Sequence, residues 1–154
     1  MKRLFFSLFV LACTVAATQA QQPLVIGEKA PEMRVSGWQG MRVPSTPGKA
    51  YLIDFFHSSN DQCTANLSKL NALQNTYAEK LNVILISREE FDKIVPYMEG
   101  MAFRFYIGMD DNAKTFGNYG VRFVPFAALV DKRGRLVWTG NVANLTDEII
   151  NKAL

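Results

Sequence analysis

Cysteine and histidine are almost missing from this chain: among 154 residues there are two cysteines, Cys13 and Cys63, and one histidine, His57. That scarcity excludes a disulfide-rich scaffold, a structural zinc site of Cys and His, and an iron–sulfur cluster. A copper site on His57 and Cys63 fails on number, since two ligands are too few. No metal and no other cofactor is therefore expected. Runs of like charge are missing too. The 17 basic and 14 acidic residues give a formal charge of +3. Basic residues gather only in the first three positions and in Asp131-Lys132-Arg133-Gly134-Arg135, which reads as a turn. A nucleic-acid-binding domain would carry a basic stripe, so nucleic acid is excluded as a partner. Internal repeats and low-complexity tracts are absent. What remains, 49% hydrophobic and 20% charged residues, suits one packed domain.

The N-terminus has its own pattern. Met1-Lys2-Arg3 is a short positive region, Leu4 to Ala17 is apolar except for Ser7 and Thr14, and Thr18-Gln19-Ala20 places small residues where a signal peptidase reads. The expectation is a signal peptide over residues 1–20 and a domain over 21–154, exported to the periplasm. The apolar run is short of the roughly 20 residues that span a bilayer. Lipoprotein processing at Cys13, after Val10-Leu11-Ala12, is the alternative and would anchor the protein to a membrane surface. A mature chain that begins at Gln21 keeps one cysteine, Cys63, and cannot form an internal disulfide.

Strands and helices alternate in the remainder. Gln21 to Gly48 is rich in Pro and Gly, with extended pieces such as Met33-Arg34-Val35, and reads as a lead-in with one or two edge strands. Ala50 to Phe56 is apolar apart from Asp54 and reads as a central strand buried on both faces. Cys63, Leu67, Leu70, Leu73 and Tyr77 keep helical spacing, so a helix runs to about Lys80. Asn82 to Ser87 is a second buried strand. Ser87-Arg88-Glu89-Glu90 has the form of a capping box before a short helix faced by Phe91, Ile94, Val95 and Met98, which Pro96 shortens or kinks. Phe103 to Ile107 is a strand or an extended loop, and Asp110 to Phe116 is a short acid-capped helix. Phe126 to Val130 and Leu136 to Thr139 flank a hairpin turn, and Asn144 to Asp147 caps a last helix. This order builds an α/β domain: a central mixed sheet with helices on both faces.

Three segments carry a family resemblance. Leu52-Ile53-Asp54-Phe55-Phe56 resembles the strand that runs into Trp-Cys-x-x-Cys in the thioredoxin-like exported redoxins of the TlpA/ResA type. Gly27-Glu28-Lys29-Ala30-Pro31 is similar to their opening, and Gly120-Val121-Arg122-Phe123-Val124-Pro125 with Asp131 to Gly134 to their cis-proline segment. The resemblance implies a thioredoxin-like fold, thiol–disulfide exchange in cell redox homeostasis, and a cis peptide bond before Pro125. It also marks a departure. Counting from Phe55-Phe56, the family's Trp falls on Ser59, its nucleophilic cysteine on Asn60 and its resolving cysteine on Cys63. Asn60-Asp61-Gln62-Cys63 thus stands where Cys-x-x-Cys is expected, and the active site is degenerate. The attacking thiolate draws its low pKa from a helix N-terminus, and here that position holds an amide.

The candidate site residues follow. Cys63, one turn into its helix, is expected to behave as a small buried hydrophobe, with Asp54 beneath it and Asp61 beside it opposing thiolate formation. Asn60 and Asp61 suit a helix start. Asp54 costs free energy in an apolar strand unless it is bonded or neutral. His57 is a candidate partner for Asp54 or Asp61, although Asp54 and His57 lie three apart on a strand that is ending, a spacing at which side chains diverge; Ser58 and Ser59 read as loop and cap residues, with no Ser-His-Asp triad. The resemblance implies a peptide groove at Val124 and Pro125. Ser59 and the aromatics Phe56, Trp38, Tyr119, Phe123 and Phe126 are candidates to line it, although most of the aromatics are expected to be ordinary core.

Three readings compete. In the first, the protein has lost dithiol exchange and binds an exported protein or peptide through the cis-proline groove. In the second, Cys63 works as a single thiol in an oxidoreductase. In the third, it is a one-cysteine peroxidase of the peroxiredoxin type, although neither the Pro nor the Thr of that family's Pro-x-x-x-Thr-x-x-Cys site occurs between His57 and Cys63.

Overall fold

Among the described residues, six strands make one sheet in the order β1-β4-β3-β2-β5-β6. The computed structural model describes residues 23–44 and 47–154; the expected signal peptide and Cys13 lie outside the described residues. β2 (Ala50–Phe56) and β3 (Leu81–Ser87) are the middle strands, parallel to each other, and β4 (Tyr106–Met109) continues the parallel set. β5 (Phe126–Val130) runs antiparallel to β2 and β6 (Leu136–Gly140) antiparallel to β5, while β1 (Gly37–Trp38) pairs antiparallel with β4 at the far edge. The parallel pairs need crossovers, and α1 (Asp61–Tyr77) supplies the first. The short helix α2 (Phe91–Ile94) and the 3₁₀ turn Val95–Met98 supply the second.

The apolar alternation of β2 divides the core. Ala50, Leu52 and Phe56 face a cluster shared with Cys63, Leu67 and Leu70 of α1, with Ile94, and with Ile150 and Ala153 of α4 (Asp147–Ala153). Ile53 and Phe55 face the other cluster, closed by Phe116 of α3 (Lys114–Asn118), Tyr119 and Val130. Each fully buried Leu, Ile or Phe contributes roughly 2 kcal/mol. Phe55 anchors the second cluster through rings at 4.9 Å (Phe116), 5.5 Å (Tyr119) and 5.9 Å (Phe126). The lead-in strips past this face with Met33 and Val35 turned inward. Thr115 fixes it, accepting the Arg34 N–H at 2.9 Å and donating to the Arg34 carbonyl at 2.6 Å. Close approach explains Gly108: a Cβ there would sit 2.8 Å from both Ile86 and Val35 side-chain carbons.

Several expected boundaries shift. α1 ends at Tyr77 rather than Lys80, with a turn bonding Lys80 N–H to the Tyr77 carbonyl. β4 starts at Tyr106, three residues after Phe103, because register with Ile84 decides where pairing begins. The last helix is capped from within the expected Asn144–Asp147 segment, by Thr146, whose Oγ accepts the Ile149 N–H. Asp110 does hold the start of α3, its carboxylate accepting the Lys114 and Phe116 N–H groups, although the helix itself begins later than expected, at Lys114. The Ser87–Glu90 segment is not a capping box: Ser87 is the last residue of β3, its Oγ accepts the Glu89 N–H, and α2 begins after Glu90 with no side-chain cap. The hairpin forms as expected, with Asp131 Oδ1 accepting from the Arg133 and Arg135 N–H groups.

Candidate functional site

β2 delivers its C-terminal residues to the end of the sheet where β5 begins, since Phe55 pairs with Phe126. The loop from His57 to Asn60 and the segment Gly120 to Pro125 therefore face each other above that end, and α1 starts between them. Asn60 caps α1: its Oδ1 accepts the N–H groups of Gln62 at 3.0 Å and Cys63 at 3.1 Å. Its Nδ2 donates to the Val124 carbonyl at 3.0 Å, and the Val124–Pro125 peptide bond is cis. The amide thus sits where the resemblance puts the attacking sulfur, with the helix's first free N–H groups already satisfied.

Cys63 is a free thiol with 0% exposure, in the same cluster as Phe56 and Leu67. Its Sγ lies 4.0 Å from the Phe55 carbonyl. Burial pushes the thiol up to about 11; a backbone hydrogen bond at His57 opposes this, and the Asp54 and Glu89 charges add to it. Asp61 was expected in that role. The second acid acting on the thiol is Glu89, not Asp61, because the chain folds Glu89 over the loop. Asp54 is likewise 0% exposed, neither of its oxygens has a hydrogen-bond partner, and burial raises its carboxyl well above the ordinary range. By strand alternation it shares the face of β2 that Leu52 and Phe56 turn toward Cys63.

His57 does not pair with Asp54 or Asp61. Its Nδ1 meets the Ser59 N–H at 3.2 Å and Ser59 Oγ at 2.9 Å, and lies 3.7 Å from Glu89 Oε1. Serine and acid thus address the same ring nitrogen, which is not the arrangement of a triad, where they take opposite nitrogens. Sequence reasoning missed Glu89 as a site residue. Its carboxylate accepts the Ser58 N–H and Ser58 Oγ–H, both at 2.6 Å, and so fixes the loop that leads into Asn60. Its contacts span 31 residues, so nothing in the local pattern points to them.

The expected groove is only partly assembled. Val124 and Pro125 are half-buried, Ser59 is exposed, and Phe123 stands 84% exposed beside them. Phe56 and Tyr119 are core residues and line no open surface. Trp38 belongs to β1, four strand positions from β5 in the sheet order, and covers Gly108 instead. Phe126 packs on Phe55. Among the described residues no group of three or more His, Cys, Asp or Glu could hold a metal.

The AhpC/TSA family model matches residues 26–139. The chain belongs to the AhpC/TSA family. It is 26% identical over 121 residues to the thiol-disulfide oxidoreductase ResA of Bacillus thuringiensis (strain Al Hakam), and equally to that of Bacillus anthracis, covering 76% of this chain and 70% of each relative. Among solved structures it is similar to a protein assigned as thiol:disulfide interchange protein DsbE from Chlorobium tepidum. The TM-score is 0.73 at 21% identity, over 84% of this chain and 98% of that one. A thiol-disulfide isomerase from Corynebacterium glutamicum matches with a TM-score of 0.63 at 15% identity, over 84% and 92%. The fold is thioredoxin-like, and the protein is a redoxin of the TlpA/ResA type, related to thiol-disulfide oxidoreductases. Within that family it presents an amide-capped helix and a sealed thiol.

Proposed function

We propose that this redoxin has given up dithiol exchange and acts as a binding module for an extended segment of an exported protein or peptide, using the surface formed by the His57–Asn60 loop and the Gly120–Pro125 segment. The observation that carries this reading is the pair Asn60 and Cys63. The position for an attacking thiolate holds an amide that makes three hydrogen bonds to backbone groups, and the remaining sulfur is buried with its pKa pushed up to about 11. A nucleophilic thiol needs exposure and a depressed pKa, and Cys63 has neither. Phe123, at 84% the most exposed of the large hydrophobic residues among the described residues, supports a contact role for this surface. The same thiol properties weigh against the single-thiol oxidoreductase and the one-cysteine peroxidase.

Insulin disulfide reduction with dithiothreitol tests the first half: the protein should leave the rate at that of dithiothreitol alone, and any clear acceleration refutes the reading. Reduced insulin B chain, titrated into isotope-labelled protein, tests the second. Amide shifts should concentrate at residues 57–60 and 120–126 and disappear in Phe123→Ala. The export expectation belongs to the same reading; no helix among the described residues is long and apolar enough to cross a membrane. Mass spectrometry of protein from its native host should find a chain beginning at Gln21, whereas a lipid-modified Cys13 would place the module on a membrane surface.

A further inference from the structure

Asn60 makes more bonds than a helix cap requires. Two N–H groups on its Oδ1 are ordinary capping. The third bond, from Nδ2 to the Val124 carbonyl at 3.0 Å, crosses to the opposite wall of the site, 64 residues along the chain. Val124 packs against both apolar clusters, including the one that contains Cys63. The other end of the contact is held firmly: the Asn60 N–H donates to the His57 carbonyl, and Glu89 binds Ser58 twice. The cis-proline segment is tied at its start, where the Gly120 and Val121 N–H groups bond the Gly117 and Phe116 carbonyls, while Phe123 further along projects into solvent.

We propose that Asn60 is a clasp. Its carboxamide locks the cis-proline segment onto the N-terminus of α1 and keeps Cys63 sealed, so the thiol becomes reachable only when the Asn60–Val124 bond opens. The residue that replaces the attacking cysteine thereby controls access to the cysteine that remains. This holds whether or not a peptide docks beside Phe123. Local opening of this kind is governed by the few contacts that close it, and the loss of one ordinary hydrogen bond shifts the balance about fivefold.

The test uses the full chain, with iodoacetamide labelling of Cys63 located by peptide mapping and hydrogen exchange followed over residues 120–126. Asn60→Ser keeps an oxygen for the α1 N–H groups but cannot reach the Val124 carbonyl. It should label Cys63 about fivefold faster and speed exchange in 120–126, while α1 exchanges as in the wild type. Asn60→Asp keeps both size and cap but exchanges the donor for a charged acceptor facing the Val124 carbonyl, so it should also speed exchange in 120–126; it keeps the test decisive if the serine variant loosens the whole fold. Wild-type exchange over 120–126 in both variants overturns the clasp, and so does acceleration spread evenly through α1 and the sheet.

Discussion

Gln74 and Asp54 are both buried polar side chains at the interface of α1 and the sheet, and they live in opposite circumstances. Gln74 lies where β3 extends beyond the end of β4, whose pairing begins only at Ile84. Residues 81–83 therefore lack a strand neighbour on that side, and Gln74 supplies one: Oε1 accepts the Val83 N–H at 2.8 Å and Nε2 donates to the Leu81 carbonyl at 3.3 Å. Asp54 is 0% exposed beneath the opposite end of α1 with neither oxygen bonded. One amide completes a sheet; one carboxyl group is a cost the sheet carries. Satisfied buried polarity rigidifies a fold, whereas unsatisfied polarity persists where something other than stability placed it. The end that pays this cost is the end where the redoxin family keeps its chemistry.

The largest expected effect comes from removing the cost. Burial raises the Asp54 carboxyl well above its ordinary value, so between an unfolded value of about 4 and the raised folded value the native state holds a proton the unfolded state has lost. Wild-type stability is then fullest below that unfolded value. It falls as pH rises through the window by about 1.4 kcal/mol per pH unit. Asp54→Asn has no such proton. Urea unfolding should show it more stable than the wild type at pH 8 and nearly equal at pH 4, the gap widening as pH rises above the unfolded value. A difference that does not change with pH would mean that Asp54 is not a buried, partnerless acid.

Gln74 should respond in the opposite way. Gln74→Leu leaves the Val83 N–H and the Leu81 carbonyl buried without partners, a loss of about 2–3 kcal/mol that should not vary between pH 4 and pH 8. Gln74→Glu makes the two regions alike: an ionised carboxylate cannot donate to Leu81, so the loss should grow as pH rises above 4. A leucine variant as stable as the wild type would show that water serves that edge equally well.

What could be read in the sequence was whatever depends on neighbours along the chain. The apolar runs of β2 and β3, the helical spacing from Cys63 to Tyr77, the hairpin around Asp131 and Asn60 as a helix start are local patterns, and the sheet follows from their order. The site was legible in position only. Asn60 and Cys63 fall where spacing puts them, but the bond from Asn60 to Val124 spans 64 residues and those of Glu89 to Ser58 span 31. Glu89 lay unnoticed inside an apparent capping box, since Ser87 and Glu90 fit Ser-x-x-Glu; tertiary pairing placed Ser87 at the end of β3 instead. Phe56 and Phe123 are both phenylalanines beside the site, and only the sheet decides that one is core and the other stands in solvent. Gln74 gave no signal at all, since its meaning depends on β4 being shorter than β3.

The smallest effect expected is the influence of Asp54 on Cys63. Burial is the dominant reason the thiol is pushed up to about 11, and the Asp54 charge adds less than either burial or the opposing backbone bond at His57. Asp54→Asn removes the charge and leaves the burial, so the midpoint should move down by less than about one unit. The Cβ carbon shift of Cys63, followed against pH while the fold persists, reads this directly. The sign for stability matches that of Asp54. The neutral thiol is favoured in the folded chain, so stability is lost as pH rises from the ordinary thiol value toward 11. Cys63→Ala should therefore flatten the alkaline limb of the stability profile without altering the slope just above pH 4, where Asp54 acts. A wild-type midpoint near 8.5 would show an accessible thiol and would return Cys63 to the list of working nucleophiles. A fall to that value in Asp54→Asn alone would show that charge, not burial, keeps the sulfur quiet, and that the two buried groups form one coupled unit.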